Sequence, residues 1–224
     1  MGRAKEILVK VISSKIANEF VKLNHYSGKV VPNSTLHFGC FLDDKLHGVL
    51  SYGSPMDKKK VLPLVENTLW NEMLELNRMA FDEYLPKYSE SRCIAISIKL
   101  IKKNAPHIKW ILSFSDGTQC GDGTIYRASG FVLTSIKNNT GQRIDEKTGE
   151  VFSQVTFSAH RPNEKEYWKS LTKLIGFQLR YIYLIDKTCK LTVPILPFSK
   201  IDEMGAGMYK GNKVTLASRQ AIEA

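Results

Sequence analysis

What constrains this chain most is the order in which apolar alternation gives way to helical periodicity along its 224 residues. Ile7, Val9 and Val11 alternate with Leu8, Lys10 and Ile12, the pattern of a largely buried first strand. Ser13 or Ser14 can then cap a helix whose Ile16, Phe20 and Leu23 share one face. Residues 36–41 and 47–52 flank the turn Asp43-Asp44-Lys45 as a β-hairpin, and 57–70 read as a short helix broken at Pro63 and then a loop. Strands are expected over 74–81 and 110–115. Between them lies a helix that Ser89-Glu90-Ser91-Arg92 would cap and that carries Ile94, Ile98 and Ile101 on one face. A glycine-rich turn leads to a short helix over 124–129 and a strand over 131–136, and residues 138–150 read as an exposed hairpin loop. A strand over 151–157, a helix over 163–175, a strand over 180–185 and a Pro/Gly-punctuated tail complete the chain. This order predicts an α/β fold with a mixed central sheet and helices on both faces. It divides into a core over 1–160 and a C-terminal extension over 161–224 packed on that core.

A hydrophobic share of 43% and a charged share of 24% are those of a globular chain and exclude long disorder. No apolar run approaches the roughly 18–20 residues of a membrane span, and the first residues run straight into the first strand, so no secretory signal is expected. Cys40, Cys93, Cys120 and Cys189 lie far apart without C-x-x-C spacing, which points to a reducing cytoplasm and away from disulfides or a zinc knuckle. The formal charge of +10 creates a field that attracts polyanions. Residues 161–224 hold eleven Lys/Arg against six Asp/Glu, so half of the excess belongs to the body of the fold. That suits a binding surface better than a detachable basic arm.

Four polar clusters sit at the ends of apolar elements, where an α/β sheet presents its ligands. Asn24-His25-Tyr26-Ser27 combines an amide, an imidazole, a phenol and a hydroxyl just past a helix, groups that suit an unstacked base as well as they suit a capping turn. Glu75-Leu76-Asn77-Arg78 interrupts an apolar strand, and strict alternation would put Glu75 and Asn77 on one face and Leu76 and Arg78 on the other. Ser91 and Arg92 open a helix whose backbone N–H groups favour an anion, although capping alone accounts for the serines. Ser115-Asp116 ends a strand ahead of Gly117, Gly121 and Gly123, more glycines than one tight turn requires, so the backbone can approach a ligand closely. His37 and His47 face each other in the expected hairpin and could share a metal ion, but satisfied strand histidines account for them and no metal site is expected. Walker, H-E-x-x-H, G-x-S-x-G and dinucleotide-binding motifs are absent.

Taken in order, these clusters resemble the Mom DNA-modification proteins of Mu-like phages. The resemblance rests on Asn24 to Lys29, residues 36–55 with Leu46-His47-Gly48-Val49, Glu75-Leu76-Asn77-Arg78-Met79 and Glu90-Ser91-Arg92. Ser113 to Gly117, Gly123 to Phe131 and Pro194 to Lys200 extend it. It implies an enzyme that converts adenine in phage DNA to its N6-carbamoylmethyl form and so shields that DNA from host restriction in the host cytoplasm. It also implies a GCN5-related (GNAT) N-acyltransferase-like fold, because Tyr126-Arg127-Ala128-Ser129-Gly130-Phe131 is similar to the Tyr-x-x-x-Gly-Phe helix of that superfamily. The expected roles follow. His25, Tyr26, Asn77, Arg78, Ser115 and Asp116 are catalytic, with Tyr26 against the base, Asp116 or His25 as proton acceptor, and Asn77 and Arg78 on the donor carbonyl. Ser91, Arg92, Gly123 and Tyr126 would hold the donor, and Ser27, Lys29 and Arg127 the DNA.

The acyl-CoA loop of those transferases is rich in glycine, whereas the matching Pro86 to Arg92 has none. The donor is therefore an acyl-CoA or an aminoacyl-tRNA, with glycyl-tRNA favoured by chemistry. Carbamoylmethyl has the atoms of a glycyl group with amine and amide nitrogens exchanged, and glycyl transfer to N6 followed by attack of the glycine amine on C6 performs that exchange. The competing readings are an acyltransferase for a protein or small-molecule amine and a protein that only coats DNA.

Overall fold

The computed structural model describes residues 2–215, 217 and 218. The chain runs β1 (Leu8–Val11), α1 (Ser14–Asn24), β2 (Ser34–Leu42), β3 (Lys45–Gly53), α2 (Lys58–Val61), β4 (Met73–Phe81), α3 (Ser89–Asn104) and β5 (Trp110–Asp116). It continues through α4 (Thr124–Ala128), β6 (Val132–Asn139), β7 (Gln142–Ile144), β8 (Val151–Ser153), α5 (Gln154–His160) and α6 (Lys165–Ser170). Next come β9 (Thr172–Lys173), β10 (Gly176–Leu184) and α7 (Ser199–Glu203), and a hairpin of β11 (Met208–Tyr209) and β12 (Asn212–Lys213). Seven strands form one sheet in the order β1-β2-β3-β4-β5-β10-β6. The first four pair antiparallel and β4 pairs parallel with β5, so the sheet is mixed, as expected.

Helices cover both faces. Ala17 and Val21 of α1 pack on Val49 and Ala80, and small residues there let the helix approach the strands closely. On the opposite face the Tyr52 hydroxyl meets Ser97 of α3 at 2.7 Å. Between β2 and β3 the chain reverses through Asp43 and Asp44, with φ of 50° and 57°. Those values match the mirror-image turn whose twist suits a two-residue hairpin, and aspartate tolerates them better than most side chains.

Several local expectations are corrected. β1 is an edge strand with only Val9 buried, because nothing pairs beyond it in the sheet order. α1 buries Ala17 and Val21, leaving Ile16 and Leu23 exposed. α3 is preceded by Tyr88 in the left-handed region at φ 71°, and Ser89 turns its hydroxyl back to the Pro86 carbonyl, so the serines do not cap it. Residues 138–150 are not a bare loop, since β7 pairs with both β8 and β9 in a small second sheet. The strand expected over 151–157 stops at Ser153 and becomes α5, and the helix expected over 163–175 is the shorter α6 followed by β9. His37 lies opposite Ser51 and bonds it at 2.8 Å. A register shift between Cys40 and Phe41 takes His47 elsewhere, to Asp82 at 2.8 Å and a stack on Tyr84. The two histidines therefore share no site.

The chain forms two compact units. The first comprises 1–114, 123–134 and 180–196; the second comprises 115–122, 135–179 and 197–224. Both draw on residues from either side of position 160, so the division is interleaved along the sequence. In the first unit the core gathers Val61, Leu64, Val65, Met73, Trp110, Leu112 and Ile182. In the second, Phe152, Phe157 and Leu171 form a smaller one, against which Tyr167 and Trp168 pack.

Candidate active site

Strand β4 carries the polar cluster of the first unit, and a bulge arranges it. Ser51 pairs with Arg78, Tyr52 with Leu76 and Gly53 with Glu75, so Asn77 is one residue too many on β4. Directly paired residues project from the same face of a sheet. Arg78 therefore shares Ser51's face, Glu75 shares Gly53's, and these are one face. Strict alternation would have separated Glu75 from Arg78; the bulge unites them. On β4's other side, parallel pairing with β5 runs from Met73–Trp110 to Leu76–Ser113 and stops there, one residue past Glu75. Ser113 closes that end by donating its hydroxyl to the Leu76 carbonyl at 2.9 Å.

Glu75 has the properties of a proton acceptor. Among the described residues its carboxyl accepts no hydrogen bond, and burial pushes its pKa up to about 7 against the opposing pull of Arg78. Burial likewise lowers the pKa of Arg78, while Tyr26, Glu75 and Tyr126 favour its charge. Arg78 is held from two sides. Its Nε donates to the Lys29 carbonyl at 2.8 Å and its Nη1 to the Asn77 carbonyl at 2.8 Å, and Nη2 engages no acceptor among the described residues. The Asn77 side-chain oxygen accepts from Ser34 at 2.8 Å, whereas its buried Nδ2 has no partner. An unmet buried donor costs about 1–3 kcal/mol, so a ligand acceptor there would be favoured.

The turn after α1 faces this cluster through Lys29. His25 ends the helix, and its Nδ1 accepts the Ser27 amide at 3.1 Å, with the Ser27 hydroxyl 2.8 Å away. Since Nδ1 accepts, the neutral ring carries its proton on Nε2, an assignment made from the bonding pattern. Tyr26, half exposed, lies against the His25 ring with centroids 4.4 Å apart. Tyr126 is buried between Phe131 and Tyr181. Gly123 precedes α4 at φ 89°, and any side chain there would strike the Tyr181 ring.

The model of the Mom protein family matches residues 6–200. The chain belongs to the Mom family. It is 34% identical over 157 residues to the methylcarbamoylase mom of Escherichia phage Mu, covering 70% of this chain and 64% of that one. This Mom-family chain thus aligns with less than two thirds of that relative's length. Among solved structures, it is similar to an N-acetyltransferase from Staphylococcus aureus Mu50 (10% identity, 80% of this chain and 99% of that one, TM-score 0.49). It is also similar to the spermidine/spermine N-acetyltransferase SpeG from Vibrio cholerae (8% identity, 84% and 97%, TM-score 0.49).

Of the residues singled out from the sequence, Tyr26, Lys29, Asn77, Arg78 and Tyr126 are brought into one electrostatic and hydrogen-bonded neighbourhood of the first unit. Ser27 joins it through the His25 turn. Arg127, on α4 one residue beyond Tyr126, bonds Thr124 at 2.8 Å. Ser91 and Arg92 are taken up locally: Ser91 donates to the Tyr88 carbonyl, and Arg92 reaches the Lys5 carbonyl at 3.2 Å. Ser115 and Asp116 belong to the second unit. Ser115 donates to the Gly121 carbonyl at 2.5 Å. The Asp116 carboxylate accepts from the Thr118 amide at 2.9 Å and from the side chains of Gln119 and Gln142 at 3.4 and 3.2 Å. Its acceptor sites are thus spent largely on bracing the turn. No helix of the described residues is long and apolar enough to cross a membrane, and no three of their His, Cys, Asp or Glu side chains are grouped to hold a metal ion. Glu75 belonged to the cluster Glu75-Leu76-Asn77-Arg78 singled out from the sequence but was given no role there. Its signal was a carboxylate between Leu74 and Leu76 in an apolar strand; the bulge that gives it a partner left none.

Proposed function

We propose that this Mom-family chain is a transferase that modifies the N6 position of adenine in DNA, installing a carbamoylmethyl group, with Glu75 as its general base. The carrying observation is Glu75 itself: a partly buried carboxyl without a hydrogen bond among the described residues, pKa about 7, set beside Arg78 where the β4–β5 ladder ends. The likeness to the phage Mu methylcarbamoylase supports the reaction.

Adenine N6 is a poor nucleophile because its lone pair is delocalised into the ring, so a proton must leave as the new bond forms. A carboxyl with pKa about 7 is half ionised at neutral pH, which balances availability against basicity. Asp116 is braced by three donors, and the Nδ1 of His25 is already an acceptor, which favours Glu75 for the task. Tyr26 offers its exposed ring to an unstacked base. The Nη2 of Arg78 and the Nδ2 of Asn77 are donors for the oxyanion that develops on the donor carbonyl.

A glycyl ester of tRNA is the donor that this arrangement favours. Residues 86–92 lack glycine, and the Ser89 amide and hydroxyl both turn back to the Pro86 carbonyl instead of opening a cradle for pyrophosphate. N6 attacks the ester carbonyl, Glu75 takes the N6 proton, and the tRNA hydroxyl departs. Attack of the glycine amine on C6 then expels the original N6 as the amide nitrogen, giving the carbamoylmethyl product without any oxidant. Ser27, Lys29 and Arg127 would meet the DNA, and the modified adenine would resist host restriction.

The test is nucleoside mass spectrometry of DNA from cells expressing the chain. Wild type should yield the modified adenosine, and Glu75→Gln should cut its formation by about 100-fold or more while leaving DNA binding intact. Because the ionised form is the active one, the wild-type rate should rise with pH through about 7 and level off above it. Near-normal modification by Glu75→Gln would exclude it as the base.

A further inference from the structure

Extruding a base leaves a gap in the duplex, and an enzyme that fills it with a side chain offsets lost stacking. Such a plug must be apolar and exposed before DNA arrives. It must also stand on a fixed base close to the pocket, with cations beside it for the flanking phosphates. The loop that leaves β3 meets each requirement. Gly53, the last residue of β3, is the partner of Glu75. Its backbone lies so close to Asn33 that no side chain fits, and Asn33 Nδ2 donates to the Ser54 carbonyl. Pro55 is buried. Met56 follows with 83% of its surface exposed, three residues and therefore no more than about 11 Å of chain from Glu75's partner. Asp57 then caps α2, accepting the Lys60 amide at 3.1 Å and the Lys60 ammonium at 2.8 Å. That leaves Lys58 and Lys59 without an acidic partner among the described residues, and both are exposed.

We propose that Met56 is the wedge that enters the base stack when the target adenine leaves it, with Lys58 and Lys59 gripping the phosphates on either side. The inference rests on reading the chain as a DNA adenine-modifying enzyme. A lone exposed methionine is ordinary on a protein surface; its place between an anchored strand end beside Glu75 and two exposed lysines that no carboxylate engages, Lys58 over the Trp70 ring at 5.9 Å and Lys59, is what gives this one a role. Leu23 is equally exposed, but it lies within the last turn of α1, where its reach is fixed by the helix.

The experiment compares wild type, Met56→Ala, Leu23→Ala and Lys58→Ala/Lys59→Ala on two synthetic duplexes at saturating concentration. In one the target adenine pairs with thymine; in the other it faces an abasic site and is already loosened. Met56→Ala should modify the paired duplex about 10- to 100-fold more slowly than wild type, yet stay within about 3-fold of it on the abasic-opposed one. A role in folding could not produce that selective rescue. The double lysine variant should weaken binding to both duplexes alike and lower the salt dependence of log affinity by about two. Equal loss, or no loss, on both duplexes for Met56→Ala would overturn the wedge, as would the rescue pattern appearing in Leu23→Ala instead. Wild type that left adenine unmodified in both would overturn the parent reading and the wedge with it.

Discussion

Glu75 couples the proposed chemistry to the stability of the fold. Its pKa is about 7 in the native state against an ordinary 4.5, so the folded chain binds this proton more tightly than the unfolded chain does. Stability from this group is then fully present below about pH 4.5 and is lost as pH rises through 7. A shift of that size corresponds to about 3 kcal/mol at most, much of a typical domain's margin. Glu75→Gln keeps the shape of the protonated acid and cannot ionise. Its stability should therefore match wild type near pH 4.5 and exceed it by up to about 3 kcal/mol at pH 8, even as activity is lost. Urea denaturation at the two pH values measures this. An advantage of equal size at both would mean that the carboxylate is not the strained group. Such a trade of stability for function is common at active sites.

At the scale of elements, the strands were legible because period-2 segments bounded by turn residues admit few other readings, and the Asp43-Asp44 hairpin lies where its turn residues place it. The turn is open to improvement. Asp44 holds φ 57° without any partner comparable to those of Asp43, which meets both Arg3 and Tyr84. Asp44→Gly should raise stability by about 0.5 kcal/mol in urea denaturation, and Asp43→Gly should not, since it sacrifices those bonds. A loss from Asp44→Gly would show that its side chain contributes more than its backbone strain costs. What stayed illegible were the bulges. One extra residue at Asn77 has no compositional mark, yet it reverses which of Glu75's neighbours share its face. The buried stripe of α1 was missed for a related reason: the large Ile16 and Leu23 dominate the periodicity, while contact with Val49 and Ala80 selects the small Ala17 and the Val21 that follow one turn apart. Residues 154–160, rich in β-formers, became α5 because Phe157 packs on Phe152 and Tyr167, a tertiary preference that local propensity does not record.

Over the whole molecule, the positive charge that first suggested a polyanion turns out to be unevenly held. The first unit carries 21 Lys/Arg against 12 Asp/Glu, and the second 11 against 10. Counting by sequence thirds had spread the excess between body and tail; counting by structural unit places nearly all of it in the unit that also holds Glu75, Arg78 and Tyr26. If DNA is the substrate, its phosphates should be met mainly by that unit, because each neutralised phosphate releases condensed counterions and adds about 0.9 to the slope of log affinity against log salt. Replacing Lys29, Lys58 and Lys59 together by Gln should then lower that slope by nearly three. Replacing Lys165, Lys169 and Lys173 of the second unit should leave it almost unchanged, since the local field there is balanced by acids such as Glu166, 2.7 Å from Lys169. Fluorescence anisotropy with a short labelled duplex between about 50 and 200 mM salt measures both slopes. Equal losses from the two triple variants would mean that DNA binding is shared across both units, and no loss from either would mean that the charge serves solubility and not recognition.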